Sequence, residues 1–303
     1  MIAVTTAPWR DSCRDWREPI AHPRFNSVSM VLMSLIDDRK WPGTDLPESV
    51  ALAIARDEYP HLQTEHCHAL LDVWAEQARE RFRTLLDGPQ RNPNLECAAL
   101  CNFIYRDLGF RGSDDYDDPR SHFLNHVLEA RSGSPVAMAV VVIAIGERLG
   151  VRVDPVAFPG HFLVRVGGDD GVYLDPYDGG FPLPRQALQR LAAETLDDEL
   201  EATRRLEPVG ARTVGVRMLL NLQRIYHTRQ DHARSMVVCD RLFELTGAPL
   251  HRCDRGLHAL ALGASEAAIA DLEAYLASHP TARDADKVRA VLDRARNFPA
   301  QLN

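Results

Sequence analysis

The chain has 303 residues, of which 45% are hydrophobic and 26% charged, a balance typical of a globular protein rather than of a disordered one. Its formal net charge of −8 does not attract polyanions, so neither nucleic acid nor an anionic membrane surface is expected as a partner. The longest apolar run, 136–145, has about half of the ~20 residues that a membrane span requires. The N-terminus lacks the basic start and apolar segment of a secretory signal, so export is not expected. The six cysteines are scattered along the chain, which suits reduced thiols in a cytoplasmic protein.

Helical periodicity dominates the first part of the chain. Residues 28–38, 46–60 and 62–86 repeat apolar side chains at intervals of three and four. Pro47 and Glu48 suit the first turn of the second of these helices, where proline and acidic residues are favoured. The stretch GPQRNP then breaks the pattern. We therefore predict an N-terminal helical unit over residues 1–88.

The middle of the chain combines helices with short strands. Helices are predicted over 95–109, over 121–133 with Gly133 closing it, and over 134–150 with Ser134 as N-cap and Pro135 at the first position. Alternating and β-branched residues then predict strands in VRVDPVAF, HFLVRV and GVYLDPY, and GGDDG joins the last two as a hairpin. The sequence thus predicts an α+β core with a small antiparallel sheet over residues 89–210.

The last part of the chain is helical again and carries an internal repeat. Ala233 and Ala267 are 34 residues apart, and Leu242 matches Leu276 at the same spacing. That period is typical of a tetratricopeptide repeat, in which a small residue lets two antiparallel helices approach. We predict a helical domain of this type over residues 211–303, whose surface offers a binding site for a peptide or protein partner.

Four stretches carry a family resemblance: RDEYPHL, LGFRGSDDYDDPRSHFLNHVLEARSGSPVAMAVVV, FPGHFLVRV and LDPYDGG. With the order of the parts, they resemble the SirB-type transglutaminase-like proteins with C-terminal tetratricopeptide repeats, over residues 45–296. The resemblance implies a cysteine-protease-like core in which a helix N-terminus carries the nucleophile and two strands carry the base and its orienting acid. By that resemblance, His161 and Asp175 take the base and acid positions.

The nucleophile position departs from the pattern of an active transglutaminase, which has glycine, any residue and then cysteine. It falls in GSPV at 133–136, and the third residue here is Pro135. Ser134 is a substitute nucleophile one residue out of register, but a serine before a proline at a helix start is more often a cap. Cys97 and Cys101, one helical turn apart, are further candidates, although ordinary core cysteines are the preferred interpretation of this pair.

Three other residues lie in the same region. His122 and His126 are four apart, which places both on one face of the predicted helix, where they could bind a ligand or, with His161 or Asp175, a metal. The glutamate of the zinc-protease motif is missing, so no metal and no cofactor is expected. Asn125 between them is a candidate catalytic or pocket-lining amide.

The acidic stretch SDDYDDPR invites a calcium interpretation, but it lacks the glycine and terminal glutamate of an EF-hand loop. A turn with Asx caps is the preferred interpretation.

Two hypotheses of function follow from these residues. The first is a regulatory or binding protein that has lost the thiol but keeps the groove of the core and the repeat surface. The second is an enzyme that uses His161 and Asp175 as a general acid/base pair on a small acyl or amide substrate without a thiol intermediate. Ordinary transglutaminase or cysteine protease activity is not expected.

Overall fold

The computed structural model describes residues 46–158, 160–184, 186, 188–189 and 206–297. The helix predicted over 28–38 lies outside the described residues. By its internal contacts the chain divides after Gly247 into two compact units. In the described part of the chain, no helix combines the length and apolar character needed to cross a bilayer.

The first unit contains eight helices among its described residues. They are α1 (Pro47–Glu58), α2 (Thr64–Arg81), α3 (Arg83–Leu86), α4 (Pro93–Cys101), α5 (Leu124–Ala130), α6 (Pro135–Arg148), α7 (Ala211–Thr228) and α8 (His232–Thr246). A π-helical turn, Asn102–Asp107, extends α4, and a 3-10 turn, Pro119–His122, precedes α5. Every residue of α6 from Val136 to Gly146 is buried, so this helix forms the centre of the core, as its uninterrupted apolar sequence predicts.

Two small sheets pack with these helices. The larger is antiparallel, with the strand order β3 (Val153–Val156), β4 (Leu163–Val166), β5 (Val172–Asp175) and β6 (Phe181–Leu183). The three predicted strands and the predicted hairpin are confirmed, and β6 is an addition that the sequence did not indicate. The smaller sheet pairs β1 (Arg111–Gly112) with β2 (Ser132–Gly133) in parallel. Helices and a small antiparallel sheet confirm the predicted α+β class.

The helix predicted over 121–133 is wrong in its bounds. Phe123 has an extended backbone, with φ −96° and ψ 120°, and it separates the 3-10 turn from α5. The helix ends at Arg131, which adopts the left-handed conformation with φ 52°. Gly133 therefore does not close α5 but belongs to β2, where its carbonyl accepts a hydrogen bond from the Ser113 N–H.

The second unit consists, in its described part, of α9 (Pro249–Ala261), α10 (Ser265–Ser278) and α11 (Ala285–Asn297). Its core contains Cys253, Leu272, Tyr275, Val288 and Leu292. Gly256 lies so close to α10 that an added Cβ would stand 3.2 Å from the carbonyl oxygen of Ala268. The small residues at this helix contact are therefore Gly256 and buried Ala268, whereas Ala267, which the repeat period singled out, is exposed.

The two compact units differ from the predicted domains. Helices α7 and α8 belong to the first unit, whereas the sequence assigns them to the repeat domain. The boundaries at residues 88 and 210 stay a prediction.

Candidate functional site

His161 and Asp175 are joined by a hydrogen bond. His161 lies just before β4 and Asp175 ends β5, and Nδ1 of the imidazole is 3.0 Å from Oδ2 of the carboxylate. The histidine side chain is 49% exposed and the aspartate side chain 14% exposed. A neutral imidazole that donates its Nδ1–H to a carboxylate keeps Nε2 as a proton acceptor. Nε2 has no partner among the described residues, so the pair has the arrangement of a general base with its orienting acid.

Two tyrosines hold the turn that follows Asp175. The N–H of Tyr177 donates to Asp175 Oδ1 over 2.9 Å, and its hydroxyl donates to the carbonyl oxygen of Ser113. The hydroxyl of Tyr105 donates to the carbonyl oxygen of Pro176 over 2.9 Å. Sequence analysis missed both roles: Tyr177 stands inside the DPYDGG motif, but nothing near Tyr105 marks it.

The N-terminus of α6 is tied to the same turn. Tyr177 bonds Ser113, and the Ser113 N–H donates to the carbonyl oxygen of Gly133 over 3.0 Å. Ser134 follows Gly133 directly, so a short chain of hydrogen bonds leads from Asp175 to the start of α6. The structure thus connects the two parts of the site that the family resemblance places together.

Neither residue at the start of α6 presents a nucleophile. Pro135 occupies the first helical position, and Ser134 is the N-cap, as predicted. However, the Ser134 side chain makes no capping hydrogen bond, so that part of the interpretation is wrong. Ser134 is 0% exposed, and its Oγ is buried without a hydrogen-bond partner.

The thiols of α4 approach the turn from its other side. Cys101 Sγ donates to the carbonyl oxygen of Gly180 over 3.2 Å, so Cys101 reaches the turn that follows Asp175. A hydrogen bond with Cys97 and, after it, burial raise the pKa of Cys101. The raised pKa keeps Cys101 in the protonated form, which is a poor nucleophile.

The two predicted binding histidines, His122 and His126, lie in different helical elements. His122 is buried, and its Nε2 is 3.1 Å from the carbonyl oxygen of Tyr116. Burial lowers the pKa of His122 to about 4, so the ring is neutral. His126 packs edge-on against Tyr59, with 5.0 Å between ring centroids. Because Phe123 interrupts the helix, the expectation that both histidines share one helix face is wrong.

Asn125 lies in the first turn of α5, and its Oδ1 is buried without a hydrogen-bond partner. Across the described residues, no group of three His, Cys, Asp or Glu side chains is arranged to hold a metal ion. The roles predicted for Asn125, His122 and His126 therefore stay predictions.

The acidic loop is a turn with Asx caps. Oδ1 of Asp115 accepts from the N–H groups of Asp117 and Asp118 at 3.0 and 3.1 Å. Two arginines at the C-terminal end of α7 bind the loop. Arg224 pairs with the Asp117 carboxylate at 2.6 Å, and Arg229 donates to the Asp117 carbonyl oxygen at 2.8 Å.

A groove runs along α1, α7 and α8 in the first unit. It consists of two adjoining cavities of about 460 and 300 Å³ that share Glu58, Phe123, Tyr226 and Arg234. The larger cavity is lined mostly by charged side chains, whereas aliphatic and aromatic side chains make up most of the lining of the smaller one. Sequence analysis missed this groove because its walls come from segments that are far apart in the chain.

Two family models match the chain. The model of the transglutaminase-like superfamily covers residues 65–220, and a tetratricopeptide-repeat model covers residues 222–293. The first match contains His161, Asp175 and the start of α6, and the second contains α8, α9 and α10. No solved structure matches the chain significantly.

Curated relatives extend over nearly the whole chain. A UPF0162 protein of Xylella fastidiosa strain Temecula1 is 37% identical over 282 residues, which are 91% of this chain and 95% of the relative. A UPF0162 protein of Vibrio cholerae is 29% identical over 47% of this chain and 52% of its own length. Human F-box only protein 21 is 38% identical over 82 residues, 26% of this chain and 13% of that protein. The chain therefore belongs to the UPF0162 family, the SirB-type transglutaminase-like proteins with C-terminal tetratricopeptide repeats.

Proposed function

We propose that this protein is a transglutaminase-like protein without a catalytic nucleophile. It acts as a binding or regulatory protein through the groove along α1, α7 and α8 and through its helical repeats. The observation that supports the proposal is the start of α6, where Pro135 stands at the position that the family resemblance assigns to the nucleophile and the adjacent Ser134 hydroxyl is fully buried. Acyl transfer through a covalent intermediate requires an accessible nucleophile within hydrogen-bond reach of the base.

The neighbouring thiols support the same proposal. A hydrogen bond with Cys101 lowers the pKa of Cys97, but Cys97 is only 3% exposed, so its sulfur is not accessible to a substrate. Cys101 also donates a hydrogen bond to the Gly180 carbonyl oxygen. Papain-like enzymes need a thiolate, which forms at a helix N-terminus or beside a cationic group, whereas burial opposes it. Both cysteines lie in α4, not at the start of α6.

A second candidate function rests on the His161–Asp175 hydrogen bond. The histidine is half exposed and its Nε2 is free to accept a proton, which suits a general base that activates water or a substrate O–H or N–H group. The substrate in that case is a small acyl or amide compound, and the reaction passes through no protein-bound acyl group.

Complementation distinguishes the two functions. A strain that lacks the gene is given the wild-type chain, His161→Ala or Asp175→Asn, with the melting temperature of each purified variant measured in parallel. A binding protein predicts that both variants restore the phenotype as long as they stay folded. Loss of complementation by a His161→Ala protein that melts like the wild type would instead support the acid/base enzyme.

A further inference from the structure

The apolar part of the groove is open to solvent. Its cavity of about 300 Å³ is lined by aliphatic side chains from three helices, among them Ile54 of α1, Leu222 of α7 and Val238 of α8. Val237 lines the same cavity and is 46% exposed, whereas Ile54, Leu222 and Val238 are each 5% exposed or less. A bulky aliphatic side chain from a ligand would cover Val237 and fill this space.

Two ion pairs frame this apolar part. Arg234 contacts both carboxylate oxygens of Glu58 at 2.8 Å, and Arg241 bonds Asp57 at 2.7 and 2.8 Å. The two arginines are seven residues apart on α8, which places them about 10 Å apart along the helix. Because each charge already has its partner within the protein, these pairs shape the apolar part without attracting a charged ligand.

The polar part contains two charges that lack such partners. The Asp115 carboxylate accepts only backbone N–H groups, those of Asp117 and Asp118. The Arg229 guanidinium donates only to a backbone carbonyl, that of Asp117. Both residues line the cavity of about 460 Å³, and neither forms a salt bridge with a described residue. Arg120 acts on Asp115, and Arg229 on Asp118, only through space, and Arg120 and Asp118 are paired with each other. The polar part therefore offers one carboxylate and one guanidinium to a ligand.

We infer that this groove binds a peptide segment of a partner protein in which a bulky aliphatic residue is followed by one basic and one acidic residue. The aliphatic side chain enters the apolar part, the basic side chain pairs with Asp115, and the acidic side chain pairs with Arg229. The exposed mouth at Val237 suits a ligand that continues into a larger chain rather than an enclosed small molecule. The inference rests on the binding role proposed above and specifies the chemistry of the partner.

Blocked tripeptides test each feature separately. The probes are acetyl-Leu-Lys-Glu-amide and acetyl-Leu-Glu-Lys-amide, compared with acetyl-Leu-Gln-Gln-amide, which lacks the charges, and acetyl-Ser-Lys-Glu-amide, which lacks the aliphatic side chain. Each is titrated into the isotope-labelled full-length chain, and the amide signals of Tyr226, Arg229 and Val237 are followed by NMR. We expect saturable shifts at these residues with at least one of the two charged leucine peptides, and weaker binding of the other two.

Protein variants provide the reverse test. Arg229→Gln and Asp115→Asn each remove one charge, and an asparagine at 115 keeps a side-chain oxygen for the backbone bonds of the loop. Each should weaken binding of the charged peptides about threefold, the size of an exposed ion pair, and leave acetyl-Leu-Gln-Gln-amide unaffected. Arg294→Gln on α11, which does not line the groove, is the matched control and should change nothing.

Three results would overturn the inference: no shift at these residues with either charged leucine peptide, equal affinity of the uncharged peptide, or equal affinity of the serine peptide. Failure here is distinguishable from failure of the proposed function, because complementation by His161→Ala reports whether the His161–Asp175 pair is required, whereas the peptide titrations report on the groove alone.

Discussion

Nδ1 of His161 lies 3.0 Å from Oδ2 of Asp175, although fourteen residues and a hairpin separate the two in the chain. Antiparallel pairing of β4 with β5 brings the start of one strand beside the end of the other, which explains this contact. The pair is thus a direct result of the hairpin and does not depend on the presence of a nucleophile. A base and its orienting acid can therefore persist in a chain that has lost the third member of a triad.

The carboxylate of Asp175 should fix the tautomer of His161. At a pH where the ring is neutral, long-range ¹H–¹⁵N spectra are expected to show the proton on Nδ1 in the wild type, because Oδ2 accepts it. Asp175→Asn replaces one carboxylate oxygen by an amide donor and should shift the population towards the Nε2–H form. An unchanged spectrum in this variant would show that the hydrogen bond does not orient the ring.

An alanine at position 180 should lower the unfolding free energy more than an alanine at the neighbouring position 179. Both have positive φ, 69° and 68°, so either alanine substitution should cost about 1 kcal/mol from backbone strain. At Gly180 the new Cβ would also stand 2.3 Å from the Tyr105 ring, whereas at Gly179 its nearest neighbour is the Phe181 ring at 3.5 Å. We expect Gly180→Ala to lose a further ~1–3 kcal/mol of unfolding free energy in urea titrations.

The same pair of variants tests whether the turn positions Asp175. Gly180→Ala should disturb the His161 tautomer, and Gly179→Ala should leave it as in the wild type. Equal stability and equal spectra for the two variants would contradict the close packing of Gly180 against Tyr105 and Cys101.

The side chain of Ser134 should contribute nothing to stability. Its Oγ is buried without a partner, and a buried unsatisfied hydroxyl is unfavourable, so Ser134→Ala is expected to leave the unfolding free energy within ~0.5 kcal/mol or to raise it. Asn92 is the control, because its side chain accepts from the N–H groups of Asn94 and Leu95 at the start of α4. Asn92→Ala should cost about 1 kcal/mol. A larger loss at Ser134 than at Asn92 would show that the Ser134 hydroxyl has a partner in solution.

His122 should make stability depend on pH below neutrality. Burial lowers its pKa to about 4 in the folded protein, against 6.5 for a free histidine, so between these values the unfolded chain binds more protons. The contribution of His122 is therefore complete above pH 6.5 and is lost as the pH falls towards 4, by on the order of 3 kcal/mol. The charged groups that act on the His122 ring are Arg224, Asp117 and Asp118.

Unfolding free energies of the wild type and of His122→Gln at pH 7 and pH 4.5 check this effect. We expect a smaller difference between the two pH values in the variant, whatever its absolute stability. An identical difference in both proteins would show that His122 is not buried in its neutral form.

Local patterns predicted much of this fold. The length of the apolar run from Val136 to Ile145 favours a buried helix over a strand. The alternation around GGDDG predicts the β4–β5 hairpin, which in turn brings His161 to Asp175. The helix start at Pro135 also follows from local rules, because proline at the first position suits a helix N-terminus.

The features that sequence did not predict depend on contacts between distant segments. The four-residue spacing of His122 and His126 suits a helix, but the backbone is extended at Phe123, whose ring packs against the distant Tyr59. Strand β6 contains Pro182, which argues against a strand unless it lies at an edge. The groove and the hydrogen bond of Tyr105 arise between elements more than seventy residues apart, so no local pattern could indicate them.

The measurement that tests the central claim most directly is mass spectrometry of the intact chain after incubation with an activated ester such as p-nitrophenyl acetate. The wild type and His161→Ala are compared, and any acetylated residue is located by proteolysis. A chain without a catalytic nucleophile should give the same weak, scattered acetylation in both proteins. Stoichiometric acetylation of Ser134, Cys97 or Cys101 in the wild type that is lost in His161→Ala would contradict the account.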